Sequence, residues 1–225
     1  MANPDEISKL SLIHIKLMEW LAITKCRIFN HPADMLSNLS KPYQAQIIAE
    51  CGLKVPPHCI TSNKSSVVNF ANEWGPLIYK SISSARSIVK ELDLNDTEKL
   101  DKIKYLPTQF QQKLEGCNIR VHVVGDKLFA TKAVSNVVDY RYAGRDGEEI
   151  DLQETHLPKH IEESCFKLSQ KLNLALCGID LFLTAQDDYY CFEVNPSPGY
   201  SFYQELTGQD IASAMAKWLA YGKAN

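Results

Sequence analysis

With 225 residues, 24 basic and 27 acidic side chains and a formal net charge of −3, the chain has no positive excess that would indicate a nucleic-acid partner or an anionic membrane surface. It contains no apolar run near the ~20 residues of a membrane-spanning helix, and its N-terminus lacks the profile of a signal peptide. Seven cysteines without a CxxC motif are typical of reduced core cysteines in a cytosolic protein, and they argue against a zinc site.

The first predicted element is a helix that begins with the capping residue Asn3 and Pro4 and runs to about Leu21. Residues 24–29 are predicted to form a short strand, followed by a connector. We assign residues 1–37 to this N-terminal helix and connector, as the remnant of a preceding domain. The helix carries an apolar stripe whose spacing predicts packing, formed by Ile7, Leu10, Ile13, Leu17 and Leu21.

A second helix begins with the sequence SKP at residues 40–42 and ends at Gly52. Lys41 therefore falls in the first helical turn, where a positive charge is unfavourable for the helix dipole. It is either a solvated surface residue or a charge kept for a ligand. Further on, a predicted strand ends at Lys80, which opens the polar loop over residues 81–86.

Residues 119–124 and 127–138 are predicted to form a hairpin around the two-residue turn Gly125-Asp126. In that register Arg120 shares a face with His122, while the apolar residues of the strand lie on the other face. Arg120 thus interrupts an apolar strand. It lies either at a solvated sheet edge or aimed at an anion.

Three polar stretches are predicted to lack regular structure, at residues 93–101, 142–154 and 201–208. The second of them is rich in glycine and acids and is long enough to form a lid or to contact a substrate. Helices are predicted over residues 158–174 and 210–221, each with an apolar stripe directed at a core.

A second hairpin, over residues 177–200, brings two carboxylates and an amide onto one face. Alternating polar and apolar residues predict two strands, and a symmetric turn centred on residues 186–187 pairs Asp180 with Glu193. Like charges directly opposed destabilise a sheet, so a positive group is expected between them. With Asn195 the site offers an all-oxygen ligand set suited to Mg²⁺. Alternatively, both acids point into solvent at a sheet edge and Asn195 caps the turn that follows.

Six segments follow one another along the chain at even spacing. They are SKPYQAQIIAECGLKVPPHCIT at 40–61, PLIYKS at 76–81, FQQKL at 110–114, CNIRVHVVGDKLFATKA at 117–133, DYR at 139–141, and CGID at 177–180 with FEVNPSPGYSFYQELTGQDIA at 192–212. Together they resemble the ATP-grasp fold and, within it, the RimK-type and microviridin-cyclase-type (graspetide) peptide ligases. The resemblance covers roughly residues 38–225.

The resemblance implies an α+β fold in which two lobes with antiparallel sheets grip ATP. Lobe A would span residues 38–112 and lobe B residues 113–225, with the usual N-terminal domain largely missing. It also implies a cytoplasmic, ADP-forming ligase. A carboxylate attacks the γ-phosphate of ATP to give an acyl phosphate, and an amine or hydroxyl of a peptide or protein then displaces phosphate to give an amide or ester.

The resemblance also implies roles for individual residues. The Mg²⁺ ligands, with Mn²⁺ as an alternative ion, match Asp180, Glu193 and Asn195. The nucleotide-binding positions match Lys41 and Lys80 on the phosphates, Gln111, Gln112 and Leu114 in the hinge that lines the adenine, and Asn118 near the nucleotide. The catalytic positions match Arg120, which would stabilise the acyl phosphate, and Arg141 near the acceptor.

Three departures from the family pattern leave alternatives open. No glycine-rich loop follows Lys80, Gln112 and Asn118 stand where acids are common, and a lone helix replaces the N-terminal domain. One alternative is therefore an ATP-binding module that lacks catalysis or depends on a partner chain or a homodimer for the missing domain. Another is an enzyme that adds amino acids to the C-terminus of a protein.

Overall fold

The computed structural model describes residues 4–82, 89–134 and 151–224. They form two antiparallel sheets, of four and five strands, with helices packed against both. The N-terminal part consists of α1 (Pro4–Ile23), a 3₁₀ helix (Pro32–Leu39) and α2 (Lys41–Glu50). None of the described helices is both long enough and apolar enough to cross a membrane.

The smaller sheet has the strand order β1-β4-β2-β3. Its strands and the helices between them are β1 (His58–Thr61), α3 (Lys64–Trp74), β2 (Leu77–Ser81), β3 (Lys90–Glu91), α4 (Thr97–Lys102), a 3₁₀ turn (Ile103–Tyr105) and β4 (Thr108–Gln112). One face of this sheet packs on α3 and α4 through a small core of Val67, Leu77, Leu100 and Phe110. The opposite face is polar, and it carries a buried lysine described below.

The larger sheet has the strand order β7-β6-β5-β8-β9, so β5 lies at its centre and β9 at one edge. Its elements are β5 (Gly116–Val124), β6 (Lys127–Val134), β7 (Asp151–Thr155), α5 (Lys159–Lys171), β8 (Leu176–Thr184), β9 (Tyr189–Asn195), α6 (Ser201–Thr207) and α7 (Ile211–Tyr221). The apolar face packs on α2 and α5, where Ile48 and Leu168 join Val121 and Ile179 in one core. Part of the other face packs on α6 and α7 in a second core that includes Val124, Leu176 and Ile211. The polar residues of that face outside this core remain available to build a site.

The predicted β5–β6 hairpin is confirmed as far as residue 134, since Val124 pairs with Lys127 across the two-residue turn. Residues 135–138 of the predicted second strand lie outside the described residues. Gly125 has φ 57, the conformation that glycine provides at the first central position of a type II′ turn. Arg120 pairs with Thr131 and His122 with Phe129, so the predicted shared face is also confirmed.

The β8–β9 hairpin reaches the predicted pairing by a different route. Its turn has three central residues, because the Asp187 amide donates to the Thr184 carbonyl and Asp187 has φ 61. Next to the turn Leu183 pairs with Tyr189, one residue out of the predicted register. A bulge at Phe192 restores that register, so Asp180 pairs with Glu193 as predicted.

Several predictions about irregular or strand segments are wrong. Residues 24–29 form no strand, because Arg27 there donates to the carbonyls of Leu219 and Ala220 and Phe29 stacks on Trp218. Tertiary contacts thus replace a strand ladder. Of the predicted loop at 142–154, residues 142–150 lie outside the described residues, and strand β7 begins at residue 151.

Two other segments predicted to be irregular are helical. Within residues 93–101, Asp96 caps α4 by accepting the Lys99 N–H at 3.0 Å, and Leu100 is buried in the core. In α6 Tyr203 is buried, so tertiary packing stabilises a polar segment. By contrast, the middle of the apolar stripe of α1 is not covered by the described part of the chain, since Leu10 and Ile13 are 65% and 64% exposed.

Candidate active site

A row of three charged residues crosses the centre of the larger sheet. Arg120 on β5 lies opposite Asp180 on β8, which lies opposite Glu193 on β9. The Arg120 Nη1 donates to the Asp180 Oδ1 in an ion pair whose side chains are 6% and 17% exposed. The solvated-edge alternative for Arg120 is therefore wrong, and its guanidinium is the positive group expected beside the two acids.

This row is electrostatically asymmetric. It contains one guanidinium and two carboxylates, of which Arg120 and Asp180 form the largely buried ion pair. Removing one partner of a buried pair costs about 3–5 kcal/mol because the other charge stays uncompensated. Arg120 thus stabilises the placement of Asp180.

Gly178 provides the space in which the guanidinium lies. A Cβ at this position would be 2.5 Å from the Arg120 Cζ and 2.8 Å from its Nε. The Tyr203 ring centroid lies 5.8 Å from the same Cζ. The Arg120 side chain therefore packs on a glycine and an aromatic ring, which suits its planar, delocalised charge.

His122 lies in the next row of the same face, opposite Gly178. Its Nε2–H donates to the Gly199 carbonyl at 3.1 Å, and its ring packs edge-on against Tyr203 at 4.9 Å. Burial, reinforced by the nearby Arg120 charge, lowers the pKa of His122 to about 4. The imidazole is therefore neutral at physiological pH, and its buried Nδ1 has no hydrogen-bond partner among the described residues.

Asn195 ends β9 opposite Gly178. Its Oδ1 accepts the Ser197 N–H at 2.9 Å, which is the capping contact that the alternative interpretation predicted. A carbonyl oxygen has two lone pairs, so this contact fixes the oxygen and leaves one lone pair for a cation. Capping and ligation are thus compatible at this residue.

The polar face of the smaller sheet centres on Lys80. Its Nζ donates to the Gln111 Oε1 at 3.2 Å, and the two residues are 8% and 5% exposed. Gln109 pairs with Lys80 across β2 and β4, and its buried Oε1 finds no partner in the described ranges. Sequence reasoning missed Gln109, although the period of two along β4 places it on the face of Gln111.

The other residues predicted to bind the nucleotide lie on several different elements. Lys41 is the first residue of α2. Gln112 pairs with Leu77 and so lies on the opposite face of β4 from Gln111, toward the small core. Leu114 and Asn118 are half-buried. Arg141 lies outside the described residues.

The acid–amide set fits a magnesium site in its chemistry. Two carboxylates and a carboxamide supply hard oxygen donors, the ligands that Mg²⁺ takes in proteins, with water and phosphate completing the octahedron. The described residues contain no group of three or more His, Cys, Asp or Glu side chains placed to hold a metal ion.

The two antiparallel sheets, with a buried lysine on one and a row of paired acids on the other, define a protein of the ATP-grasp class. A model of the RimK-like ATP-grasp domain matches residues 40–219. The chain belongs to this family. The predicted fold class is therefore confirmed, whereas the lobe boundaries and the site residues stay predictions.

Named relatives and solved structures agree with this assignment. A probable alpha-L-glutamate ligase of Histophilus somni is 25% identical over 83% of the chain, and a ribosomal protein bS6–L-glutamate ligase of Salmonella paratyphi B is 26% identical over 90%. The chain covers 64% and 66% of those two proteins. A RiPP-associated ATP-grasp ligase of Chryseobacterium gregarium, solved with ADP and a leader and core peptide, superposes over 100% of this chain and 73% of its own, with a TM-score of 0.84 and 22% identity.

Replacing Gly178 by alanine tests the space for the guanidinium. We expect Gly178→Ala to lower the free energy of unfolding by about 1–3 kcal/mol, because the new Cβ displaces Arg120. Gly199→Ala is the matched control, since a Cβ there meets nothing within 4 Å and should change stability by less than about 0.5 kcal/mol. Urea unfolding measures both. In an Arg120→Ala background Gly178→Ala should cost about 1 kcal/mol less, and equal costs in the two backgrounds would contradict the assignment.

The depressed pKa of His122 predicts a pH dependence of stability. Between about pH 6.5 and 4 the unfolded chain binds a proton at this imidazole that the folded chain does not. Stability is therefore lost as the pH falls through this window, by at most about 1.4 kcal/mol per pH unit. His122→Gln keeps an N–H donor without this titration. The free energy of unfolding of the parent and the variant is measured from pH 7 to 4. The difference between them should fall as the pH falls, and a constant difference would count against the depressed pKa.

Proposed function

We propose that this chain is an ATP- and Mg²⁺-dependent, ADP-forming ligase that joins a carboxylate to an amine or hydroxyl of a peptide or protein. The observation that carries the proposal is the row of Arg120, Asp180 and Glu193, with Asn195 beside it, in a chain of the RimK-like ATP-grasp family. This row combines one fixed cation with an acidic edge, which suits transfer of a phosphoryl group.

Asp180, Glu193 and Asn195 would hold the divalent ion, Mg²⁺ or alternatively Mn²⁺. The direct opposition of the two acids supports this role, because it places two carboxylates side by side as oxygen donors for one divalent ion. When bound, the ion would neutralise negative charge on the nucleotide phosphates. Arg120 keeps Asp180 oriented by their ion pair.

Lys41 and Lys80 would bind the phosphates. Both contribute a charge from a defined element, one at the start of α2 and the other on the polar face of β2. Gln111, paired with Lys80, would face the nucleotide with its side chain, whereas Gln112 would contribute backbone groups. Leu114 and Asn118 complete the proposed hinge between the two sheets.

The reaction would proceed in two displacements. A substrate carboxylate oxygen attacks the γ-phosphorus, the bond from that phosphorus to the β-bridging oxygen breaks, and ADP leaves with the electron pair. An amine or hydroxyl then attacks the acyl carbon, loses its proton, and expels inorganic phosphate. Arg120 would stabilise the negative charge that develops on the acyl phosphate and on its tetrahedral successor. Arg141 is proposed to act near the acceptor.

The names of similar proteins support a peptide or protein substrate. One relative is named for ligating glutamate to a ribosomal protein, and one similar structure was solved with a leader and core peptide. We place the chain in the cytoplasm, because its seven cysteines are all free.

Addition of an amino acid to a protein is the second candidate function. It is favoured by the relatives named as glutamate ligases, while the graspetide-type similarity favours bond formation within one peptide. A third candidate, ATP binding without catalysis, is motivated by Ser81 and the five residues after it, which stand in place of a glycine-rich loop.

Replacing one acid of the row tests the metal assignment. Mg²⁺ is expected to raise the ATP affinity of the parent. In Glu193→Gln we expect this gain to be smaller by about tenfold or more, because a charged ligand is lost. Calorimetry with and without Mg²⁺ measures this gain. Asp188→Asn is the control, since this acid lies at the far end of the hairpin, paired with Lys54 at 2.6 Å. If both variants keep the Mg²⁺ dependence of the parent, Glu193 is not a ligand.

The products distinguish the three candidate functions. We expect phosphate release from ATP only when an acidic peptide is present, and hydroxylamine should trap the acyl phosphate as a hydroxamate. Mass spectrometry of a peptide carrying Glu, Asp, Lys, Ser and Thr side chains, with and without free glutamate, reads the outcome. Ring closure loses one water and needs no free amino acid, whereas extension adds residues and requires one. Nucleotide binding without any phosphate release under these conditions would favour the binding module.

A further inference from the structure

The proposed metal ligands Glu193 and Asn195 lie on β9, an edge strand of the larger sheet. An edge strand presents backbone N–H and C=O groups that no neighbouring strand pairs. At Val194, between the two ligands, both of these groups are hydrogen-bonded by one side chain. Gln44 Nε2 donates to the Val194 carbonyl at 2.9 Å, and Gln44 Oε1 accepts the Val194 N–H at 2.8 Å.

The pairing register between β8 and β9 at Glu193 depends on the bulge at Phe192 and would shift by one residue without it. If the pairing near the turn continued without a bulge, Phe192 would face Asp180 and Glu193 would pair with Ile179. A shift of one residue moves every side chain to the other face of a sheet. Glu193 would then point into the apolar core, and the acidic row would not form.

Two contacts outside the hairpin flank the bulge. On the turn side the Cys191 N–H donates to the Lys54 carbonyl at 2.8 Å. On the other side Gln44 holds Val194, and Gln44 is 2% exposed. The bulged residue is therefore fixed between one backbone contact and one paired side-chain contact.

We propose that Gln44 is a positioning residue that holds β9 in the bulged register, so that Glu193 and Asn195 face the acid row. The part that concerns metal binding rests on the proposed function, whereas the control of register does not. Gln44 lies one helical turn after Lys41 on α2. The same amide thus links the start of the proposed phosphate-binding helix to the strand of the proposed metal ligands.

The test replaces Gln44 by methionine, which has a similar shape and cannot make either hydrogen bond. Gln209→Met is the matched control. Gln209 is a buried glutamine bonded to β6 of the same sheet, where its amide donates to the Ala130 carbonyl at 3.1 Å and accepts from Thr131 at 2.9 Å. Two quantities are measured in the full chain, namely hydrogen exchange at the Val194 amide without ligand and the Mg²⁺ concentration needed for ATP binding.

We expect Gln44→Met to speed exchange at Val194 by about tenfold, the factor that corresponds to loss of one buried hydrogen bond. The Mg²⁺ requirement for ATP binding should rise about 10–100-fold, as it does when groups that orient metal ligands are removed. ATP binding without Mg²⁺ should stay as in the parent. Gln209→Met should lower stability without either effect.

The two measurements separate failure of this proposal from failure of the proposed function. If the parent does not bind ATP, the proposed function fails, and exchange at Val194 alone decides whether Gln44 controls the register. If the parent binds ATP and Gln44→Met keeps both its Mg²⁺ requirement and its protected Val194 amide, the proposal is wrong even when the variant is less stable. If Gln44→Met does not fold, Gln44→Glu provides the same comparison. The glutamate keeps an oxygen that can accept the Val194 N–H, but it places a second oxygen against the Val194 carbonyl.

Discussion

The ion pair between Arg120 and Asp180 is the interaction on which the rest of the site depends. It places a charged pair at the centre of a sheet whose other face is an apolar core. Such a pair is tolerated because neighbouring residues are fitted to it. Gly178 leaves room for the guanidinium, Tyr203 covers it, and Glu193 extends the row to the sheet edge.

Other buried polar contacts hold the end of β9 and the turn that follows it. Asn30 donates to the Pro196 carbonyl at 2.7 Å and pairs with both backbone groups of Leu176. His122 holds the Gly199 carbonyl, and Gln44 holds Val194. The segment from Glu193 to Gly199 is thus tied to three different parts of the chain, because a strand with one neighbour has too few ladder bonds of its own.

Sequence alone predicted the two hairpins, the shared face of Arg120 and His122, and the pairing of Asp180 with Glu193. These features follow from the period of two along a strand, which is a local property. The bulge at Phe192 was not predictable, because it compensates for a three-residue turn and depends on contacts from Gln44 and Lys54. Gly178 is part of the CGID motif, but its role in leaving space for a guanidinium was not predictable from that motif. This role depends on where the side chain of Arg120, 58 residues earlier, lies in the folded protein. Similarly, α4 and α6 form because Leu100 and Tyr203 are buried in tertiary contacts. The polar composition of these two segments does not indicate such burial.

The bulge at Phe192 also makes the hairpin sensitive to where its length changes. Between the acids and the three-residue turn, β9 contributes one residue more than β8. A deletion in this part of β9 can be absorbed by straightening the strand, and the two carboxylates stay opposed. A deletion in β8 doubles the mismatch and turns one acid out of the row. Among relatives of this domain, deletions of one residue are therefore expected in this part of β9 and not in β8.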